Sequence, residues 1–237
     1  MPTVVNHLIE MLPRRDRSRL LSICEPVELG VAEVLADTNS LQRFVYFPTG
    51  SVVSITTPSE KTPVLEVGMV GAEGMLGIQL ALGFQSALHA SVLGAGSAWR
   101  VAATPFRREV LRSTSLQQGL NGYLLASMLQ LASFARCVQF HPVDRRLARW
   151  LLMTHDRIGA HTFCATQEMM AHRLGIRRVG ITLAAVALQR RGVIDYARGQ
   201  LTIIDRAALE KSACSCYADE VETYAKLLRG ISNPRQT

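Results

Sequence analysis

The spacing of small and aliphatic residues between Thr166 and Leu188 constrains the fold of this 237-residue chain more than any other feature. Ala171 is small, as required where two helices cross closely, and Gly175 follows four residues later, where a tight turn needs a positive backbone angle. Ile181, six residues further, returns to the same core, and Thr166 is placed to cap the first helix. This spacing is typical of a helix-turn-helix, although another helical hairpin can also show it.

The residues after this motif predict a β-hairpin. Gly192 lies where a left-handed helix end is expected, and two alternating runs, Val193–Tyr196 and Gln200–Ile204, flank the turn Ala197-Arg198-Gly199. A helix, turn, helix and hairpin in this order indicate a winged helix-turn-helix that binds duplex DNA.

The charge distribution agrees with a polyanionic partner for this part of the chain. The net charge is +7, and Lys and Arg exceed Asp and Glu by six in residues 141–237 but by only one in residues 1–140. A basic domain beside a neutral one favours binding to nucleic acid, although the arginines could also serve only to keep that surface soluble.

The second helix of the motif is expected to place its first residues against base edges in the major groove. Arginine donates two hydrogen bonds to guanine, and an aliphatic side chain contacts the thymine methyl group. The predicted base contacts are Arg177, Arg178, Val179 and Thr182. The predicted phosphate contacts are Thr166, Arg190, Arg191 and Arg198. For Arg190 and Arg191, an alternative is that they only complement the dipole at the helix end.

Residues 1–140 have a different pattern. Residues 5–24 predict short helices broken at Pro13, and from Cys24 to Val101 short apolar runs alternate with turns, which favours an antiparallel barrel or jelly roll. The predicted strands are Arg43–Phe47, Ser51–Thr56, Pro63–Val67, Ala90–Leu93 and Ala98–Val101, with turns at Pro48-Thr49-Gly50 and Thr57-Pro58-Ser59.

A long helical region follows the predicted strands. Thr104-Pro105 resembles a cap followed by proline at the first helical position, and the segment from Tyr123 to Val138 is apolar nearly all round. Packing within one monomer could bury such a helix, but packing against both the barrel and a second copy of the chain explains the width of its apolar surface better, so we expect a homodimer. His141-Pro142 interrupts the helix, and Asp144 is expected to cap the next one, which runs to about Ile158.

Along nearly its whole length the chain resembles the Crp/Fnr family of transcription regulators. The resemblance is carried by Val45–Ser51, by Gly71-Ala72-Glu73-Gly74-Met75, by His141–Leu152 and by the motif from Thr166 onward. It implies an α+β fold: an N-terminal antiparallel, jelly-roll-like β-roll in residues 1–104, a dimerisation helix in 105–140 and a winged helix-turn-helix in 141–237. It also implies a dimer that reads a pseudo-palindromic operator, and RNA polymerase as a partner.

The resemblance also shows where this chain departs from its best-known relatives. Arg178 occupies the position of the family's guanine-reading arginine, but a glutamate and a second arginine of the cyclic-AMP-receptor type are replaced by Val179 and Leu183. The stretch from Leu80 to Ala90 lacks the arginine that grips a cyclic phosphate. We therefore expect a different operator and an effector other than cyclic AMP. By resemblance, Gly71, Glu73, Gly74 and Met75 form a candidate effector pocket.

Other classes of function are less well supported. Five cysteines, one of them alone near the N-terminus, predict neither a disulfide framework nor an iron–sulfur cluster, and the one-residue gap in Cys214-Ser215-Cys216 is not a common zinc spacing. We expect no catalytic site, no cofactor, no metal and no membrane segment or secretory signal, and therefore a cytoplasmic protein. The alternative function is a nucleotide- or small-ligand-binding module that regulates a protein partner.

Overall fold

The computed structural model describes residues 5–38, 40–58 and 64–232 of the chain. Its N-terminal part begins with two short helices, as the break at Pro13 predicts: α1 (His7–Glu10) and α2 (Arg14–Ser22). The side chain of Asn6 caps α1 and also donates to the carbonyl oxygens of Pro48 and Gly74, so the first helix is fixed to the roll that follows.

The roll consists of two antiparallel sheets. One has the order β1-β7-β3 and the other β2-β6-β4-β5. The strands are β1 (Glu25–Leu29), β2 (Val34–Ala36), β3 (Phe44–Pro48), β4 (Val52–Thr56), β5 (Glu66–Val70), β6 (His89–Gly94) and β7 (Gly96–Ala102), with a 3-10 helix at Ile78–Leu82. Aliphatic side chains including Leu29, Val53, Val70, Val92 and Ala98 fill the space between the sheets. The predicted fold class is therefore confirmed.

The predicted strands differ from the observed ones in two respects. The apolar run Pro63–Val67 is displaced, because the fifth strand covers Glu66–Val70, while Pro63 and the turn residue Ser59 lie outside the described residues. The strands β1 and β2 were not predicted: both lie at sheet edges, β1 exposes much of its length and β2 has only three residues. Pro26 is tolerated in β1 because it lies on an edge strand.

Two helices, α3 (Ala103–Arg112) and α4 (Thr114–Phe140), occupy the predicted dimerisation region. The prediction that Thr104 is the cap was wrong, because the helix begins one residue earlier, after Ala102. Ser113 separates the two helices, and its hydroxyl accepts a hydrogen bond from the Leu116 amide. Gly119 and Gly122 lie inside α4, where tertiary packing outweighs their low helix propensity.

The break at His141-Pro142 separates α4 from α5 (Val143–Ile158). Asp144 was predicted as the cap of α5, but the structure places it in the first turn and Pro142 at the capping position. A carboxylate in the first turn still complements the positive end of the helix dipole.

The C-terminal part has the helices and hairpin that the sequence predicts, and it adds three elements. Its elements are β8 (Thr162–Cys164), α6 (Gln167–Leu174), α7 (Arg178–Arg190), β9 (Ile194–Ala197), β10 (Gln200–Ile203), α8 (Arg206–Ser212) and α9 (Cys216–Ser232). The third strand, β8, pairs with β10 and makes a three-stranded sheet with the order β8-β10-β9. Leu147, Leu151, Met170, Ile181 and Leu201 are buried at the centre of this part.

The last helix, α9, packs back along α4 instead of staying within the C-terminal part. Gln130 donates to Glu220, Arg136 forms an ion pair with Asp219, and the hydroxyl of Tyr224 donates to the carbonyl oxygen of Glu73. The segment after the hairpin therefore joins the predicted DNA-binding part to the long helix and to the roll. None of the described helices is long and apolar enough to cross a membrane.

Candidate nucleic-acid interface

The turn between α6 and α7 has the geometry that the sequence predicts. The Thr166 hydroxyl accepts a hydrogen bond from the Met169 amide at 3.1 Å and caps α6. Gly175 has φ +61°, and the amide of Ile176 donates to the carbonyl oxygen of Ala171 at 2.9 Å. A left-handed residue at this point reverses the chain, so that α7 leaves at an angle to α6. Gly192, with φ +69°, follows α7 and confirms the predicted left-handed position at its end.

The start of α7 presents charged and apolar side chains together. Arg177 and Arg178 are exposed at its first turn, while Val179 and Leu183, one helical turn apart, are each 68% exposed. The opposite face of the helix is buried through Ile181, Ala185 and Leu188. One face of α7 therefore holds the helix in the fold, and the other carries two arginines and an aliphatic pair toward solvent.

Thr182 lies between the two helices. It is half-buried, and its hydroxyl donates to the Gln167 side chain at 2.8 Å, which ties α7 to the first turn of α6. The hydroxyl also lies 3.1 Å from the carbonyl oxygen of Arg178. To contact a base, the Thr182 hydroxyl would have to give up its hydrogen bond to Gln167 or to the Arg178 carbonyl oxygen.

The predicted phosphate contacts are all exposed, but they fall into two groups. Arg190 and Arg191 lie at the C-terminal end of α7, about 18 Å from its start at 1.5 Å per residue. Arg198 lies in the hairpin turn with φ +52°, beside Gly199. The amide of Ala165 donates to the carbonyl oxygen of Gly199 at 2.8 Å, so the hairpin turn lies next to Thr166. The structure thus brings Thr166 and Arg198 together and leaves the arginine pair at a distance.

A buried ion pair fixes the helix-turn-helix to the roll. On α6, Arg173 Nη1 lies 3.0 Å from Glu66 Oε2 on β5, and Trp150 Nε1 on α5 donates to the other carboxylate oxygen of Glu66 at 2.8 Å. Ser54 donates to Glu66 and contacts Arg173. This network was not predicted from the sequence, because its members lie on four elements between residues 54 and 173 and no local motif links them.

The candidate effector segment lies at a second junction between the two parts of the chain. Glu73 Oε1 accepts hydrogen bonds from Arg157 Nε at 2.6 Å and from the Gly71 amide at 3.2 Å. Burial lowers the pKa of Arg157, but the neighbouring carboxylates of Glu73 and Glu220 together more than offset this, so its pKa is raised and it stays charged. The sequence offered Glu73 no nearby cation; the structure supplies one from α5, 84 residues further on.

Gly74 and Met75 face the protein interior. A Cβ atom on Gly74 would lie 2.6 Å from the ring of Tyr123, and the Tyr123 hydroxyl donates to the carbonyl oxygen of Met75 at 2.9 Å. Burial raises the pKa of Tyr123 to about 12, so the hydroxyl remains a donor. Glu73 and Arg157 also border a cleft of about 310 Å³ that Tyr217, Tyr224 and Met153 help to line.

A larger cleft, of about 770 Å³, lies between the roll and α6. Thr56, His89 and Ser91 line it from the roll, and His172 and Arg173 line it from the helix-turn-helix. Its polar walls and its position beside the Glu66 ion pair place any occupant in contact with both parts of the chain.

The long helix α4 exposes a stripe of mainly apolar side chains. The stripe consists of residues spaced alternately four and three apart, all of them exposed: Asn121, Leu125, Met128, Ala132, Ala135 and Gln139. Met128 is 68% exposed, and Leu131 and Val138 flank the stripe. Alternating spacing of this kind forms one straight seam along a helix and is typical of helix pairs.

Comparison with known proteins identifies both the C-terminal part and the fold. A family model described as the Crp-like helix-turn-helix domain matches residues 145–212, which include both helices of the motif and the hairpin. A comparison of the sequence with curated proteins finds no match.

Solved structures with the same fold include three bacterial proteins. A CRP-family transcriptional regulator from Thermus thermophilus has a TM-score of 0.67 at 18% identity, over 79% of this chain and 96% of that one. FixK2 from Bradyrhizobium japonicum has a TM-score of 0.66 at 12% identity, over 81% and 98% of the two chains. CLP from Xanthomonas campestris, a global regulator that responds to c-di-GMP, has a TM-score of 0.65 at 14% identity, over 81% and 99%.

Proposed function

We propose that this chain, a transcription regulator of the Crp/Fnr type by its helix-turn-helix domain and its fold, is a homodimer that reads a pseudo-palindromic operator through α7. The observation that carries this proposal is the exposed first turn of α7, where Arg177 and Arg178 stand beside an exposed aliphatic pair in a domain matched by the Crp-like model. The family resemblance supports the class of function, and the exposed side chains of α7 support the proposed contacts with DNA.

The contacts divide into base readers and phosphate anchors. Arg178 is the proposed guanine reader, with Arg177 beside it, because arginine bonds to two acceptors on guanine in the major groove. Val179 and Leu183 would rest against thymine methyl groups, since two aliphatic side chains one turn apart offer no hydrogen bond to a base. Leu183 was not among the predicted base contacts, and its exposure adds it to them.

The phosphate anchors lie at both ends of the motif. Thr166 and Arg198 would hold one stretch of backbone through the capped end of α6 and the hairpin turn, and Arg190 and Arg191 would hold a second stretch near the far end of α7. Contacts of this kind set register and affinity but carry no sequence information.

The dimer would form through the exposed stripe on α4. Placing the same stripe of a second copy against Leu125 and Met128 buries apolar surface that one chain leaves in water, and a two-fold axis along α4 makes the contact self-complementary. Two α7 helices related by that axis would enter successive major grooves, so half-sites should be about one helical turn apart. By the family resemblance, RNA polymerase is the proposed protein partner.

Control by a ligand would act through the two junctions between the roll and the DNA-binding part. The Glu73–Arg157 and Glu66–Arg173 ion pairs connect strands or turns of the roll to α5 and α6. A ligand bound at the Gly71–Met75 segment, or in the cleft beside Arg173, would compete for these pairs and so shift the position of α7. Because Leu80 to Ala90 offers no arginine for a cyclic phosphate, we place the effector outside the cyclic-AMP class.

Selection on random duplex DNA, followed by affinity measurements at several salt concentrations, tests this function. The expected result is a two-fold symmetric site, and Arg178→Ala should weaken binding to it by about 1–3 kcal/mol and relax the preference at one position in each half-site. Arg190→Ala should weaken binding equally on all sequences and reduce the salt dependence. Arg14→Ala, which removes an exposed arginine from α2, is the control for loss of charge alone.

Two results would contradict the proposal. Selection that returns only asymmetric or featureless DNA would exclude the dimeric reading of an operator. Equal losses for Arg178→Ala on every sequence would make Arg178 a phosphate contact and would leave base reading to other residues.

A further inference from the structure

Four side chains that bind metals meet where α4 ends and α9 begins. Cys137 lies in the last turn of α4 and His141 directly after that helix, while Cys214 lies between α8 and α9 and Cys216 is the first residue of α9. Their ligand atoms all lie within 4.8 Å of one another. The three cysteines are buried and His141 is half-buried, so the cluster is enclosed by protein on most sides.

Two of the distances within the cluster match the edges of a small tetrahedron. Cys137 Sγ lies 3.6 Å from Cys214 Sγ, and Cys216 Sγ lies 3.5 Å from His141 Nδ1. A tetrahedral zinc ion with Zn–S of about 2.3 Å and Zn–N of about 2.0–2.1 Å places two sulfurs about 3.8 Å apart and a sulfur and a nitrogen about 3.5 Å apart. A disulfide would instead require about 2.05 Å between the sulfurs.

Positive charge surrounds the cluster. Arg136 Nη2 lies 3.4 Å from Cys216 Sγ and also pairs with Asp219. Arg149, only 5% exposed, pairs with Glu220, and its Nε has no hydrogen-bond partner among the described residues. Three thiolates around a divalent ion carry a net charge of −1, and nearby guanidinium groups, one buried on Arg149 and one about half exposed on Arg136, stabilise such a charge.

We propose that Cys137, His141, Cys214 and Cys216 form a tetrahedral structural site for one zinc ion. Binding releases the three thiol protons to solvent, and no electron is transferred. Three thiolates and one imidazole favour zinc among divalent ions, and four protein ligands leave no open position for catalysis. This assignment departs from the expectation from sequence that the chain holds no metal.

The site would join parts of the chain that are distant in sequence. Its ligands come from the end of the long helix, the break before α5 and the segment that leads into the last helix. One ion would therefore fix these three segments to one another between the roll and the DNA-binding part. The metal site itself does not depend on the proposed function, because its presence is measured on the protein without DNA.

The direct test is on the unmodified full chain, purified under reducing conditions without chelators. Elemental analysis should find one zinc per chain, and X-ray absorption at the zinc edge should fit three sulfurs and one nitrogen at the distances given above. Replacement by Co²⁺ should give a thiolate-to-cobalt charge-transfer band and the strong visible bands of a tetrahedral ion. A chain that takes up neither ion, or a spectrum of oxygen and nitrogen ligands only, would overturn the proposal.

Substitutions locate the site. Cys216→Ser and Cys214→Ser should each abolish or greatly weaken the cobalt charge-transfer band, whereas Cys24→Ser and Cys164→Ser, which alter cysteines outside the cluster, should leave it unchanged. An unchanged band in Cys216→Ser would overturn the assignment. If a cluster variant fails to fold, the spectrum of the unmodified protein decides alone.

A disulfide is the competing use of the same residues. Intact-mass analysis and thiol titration of the unmodified protein separate the two cases. With zinc bound, Cys137 and Cys214 should be protected from alkylation until a chelator is added and should then react as thiols. A mass lower by two hydrogens, with zinc absent, would show a Cys137–Cys214 disulfide and overturn the metal site.

Discussion

Replacing Glu66 with Gln tests the buried ion pair that connects the roll to the helix-turn-helix. The change keeps the shape of the side chain and the oxygen that accepts from Trp150, but it puts an NH₂ group where Oε2 now meets Arg173 and Ser54. The guanidinium then loses its only counter-charge in the network.

The magnitude follows from burial. Glu66 is 6% exposed and the side chain of Arg173 is 13% exposed, so neither group is well solvated in the folded protein. Removing one partner of a buried pair costs about 3–5 kcal/mol, and the partial exposure of Arg173 places the expected loss near the lower end, about 3 kcal/mol. For a chain of this size, that loss lowers the melting temperature by about 6–12 °C.

Thermal and urea unfolding of a double-mutant cycle measure the effect. The cycle consists of the unmodified protein, Glu66→Gln, Arg173→Met and the double variant, which should lose less stability than the sum of the two single losses. Glu28→Gln, the same change at an exposed position on β1, is the control. The reasoning is refuted if the two losses add within about 0.5 kcal/mol, or if Glu66→Gln loses no more stability than the control.

Three further predictions concern the dimer helix, the helix-turn-helix and the dependence of stability on pH. Met128→Glu places a charge in the exposed stripe of α4 and should convert the proposed dimer to monomers, as measured by sedimentation equilibrium. Leu111→Glu, which changes an exposed apolar residue of α3, is the control and should leave the dimer intact. Dimers of both variants would exclude the stripe as the interface. Gly175→Ala and Gly159→Ala both force alanine into a left-handed conformation, at a cost of about 1–2 kcal/mol each. A Cβ atom on Gly175 would also lie 2.8 Å from Leu65, whereas a Cβ atom on Gly159 would meet nothing, so Gly175→Ala should lower the melting temperature more. Equal losses of melting temperature would show that Leu65 moves aside freely. Burial, together with the charge of Arg206, holds the pKa of His155 below its usual value of 6.5, so the unfolded chain binds the proton more tightly than the folded one. The stability that neutral His155 contributes is therefore complete above about pH 6.5 and is lost as the pH falls below it, and His155→Gln should flatten the decline of the unfolding free energy below about pH 6.5.

Local signals carried much of the prediction for the C-terminal part. The cap at Thr166, the left-handed Gly175 and Gly192 and the two alternating runs each depend on residues a few positions apart, so they can be read along the chain. Boundaries set by packing were predicted less accurately. Thr104 and Asp144 lie in the first turns of their helices instead of capping them, and the strand predicted at Pro63–Val67 is observed at Glu66–Val70.

The missed features all join residues that are distant in sequence. Arg157 meets Glu73, Arg173 meets Glu66, and α9 lies along α4 because the chain folds back after the hairpin. The pattern of charges or cysteines along the sequence does not predict such contacts, because no periodicity relates the positions of the residues that meet.

The helix-turn-helix at residues 166–188 was determined by the sequence itself, because capping, turn conformation and helical periodicity act over one or two turns of chain. The exposure of Leu183 beside Arg178, the ion pairs between roll and DNA-binding part and the assembly of Cys137, His141, Cys214 and Cys216 were decided only by tertiary structure. Their physical reason is the same in each case: which groups share a small, poorly hydrated volume depends on how the elements pack, and only that packing makes a charge pair strong or gathers ligands around one point.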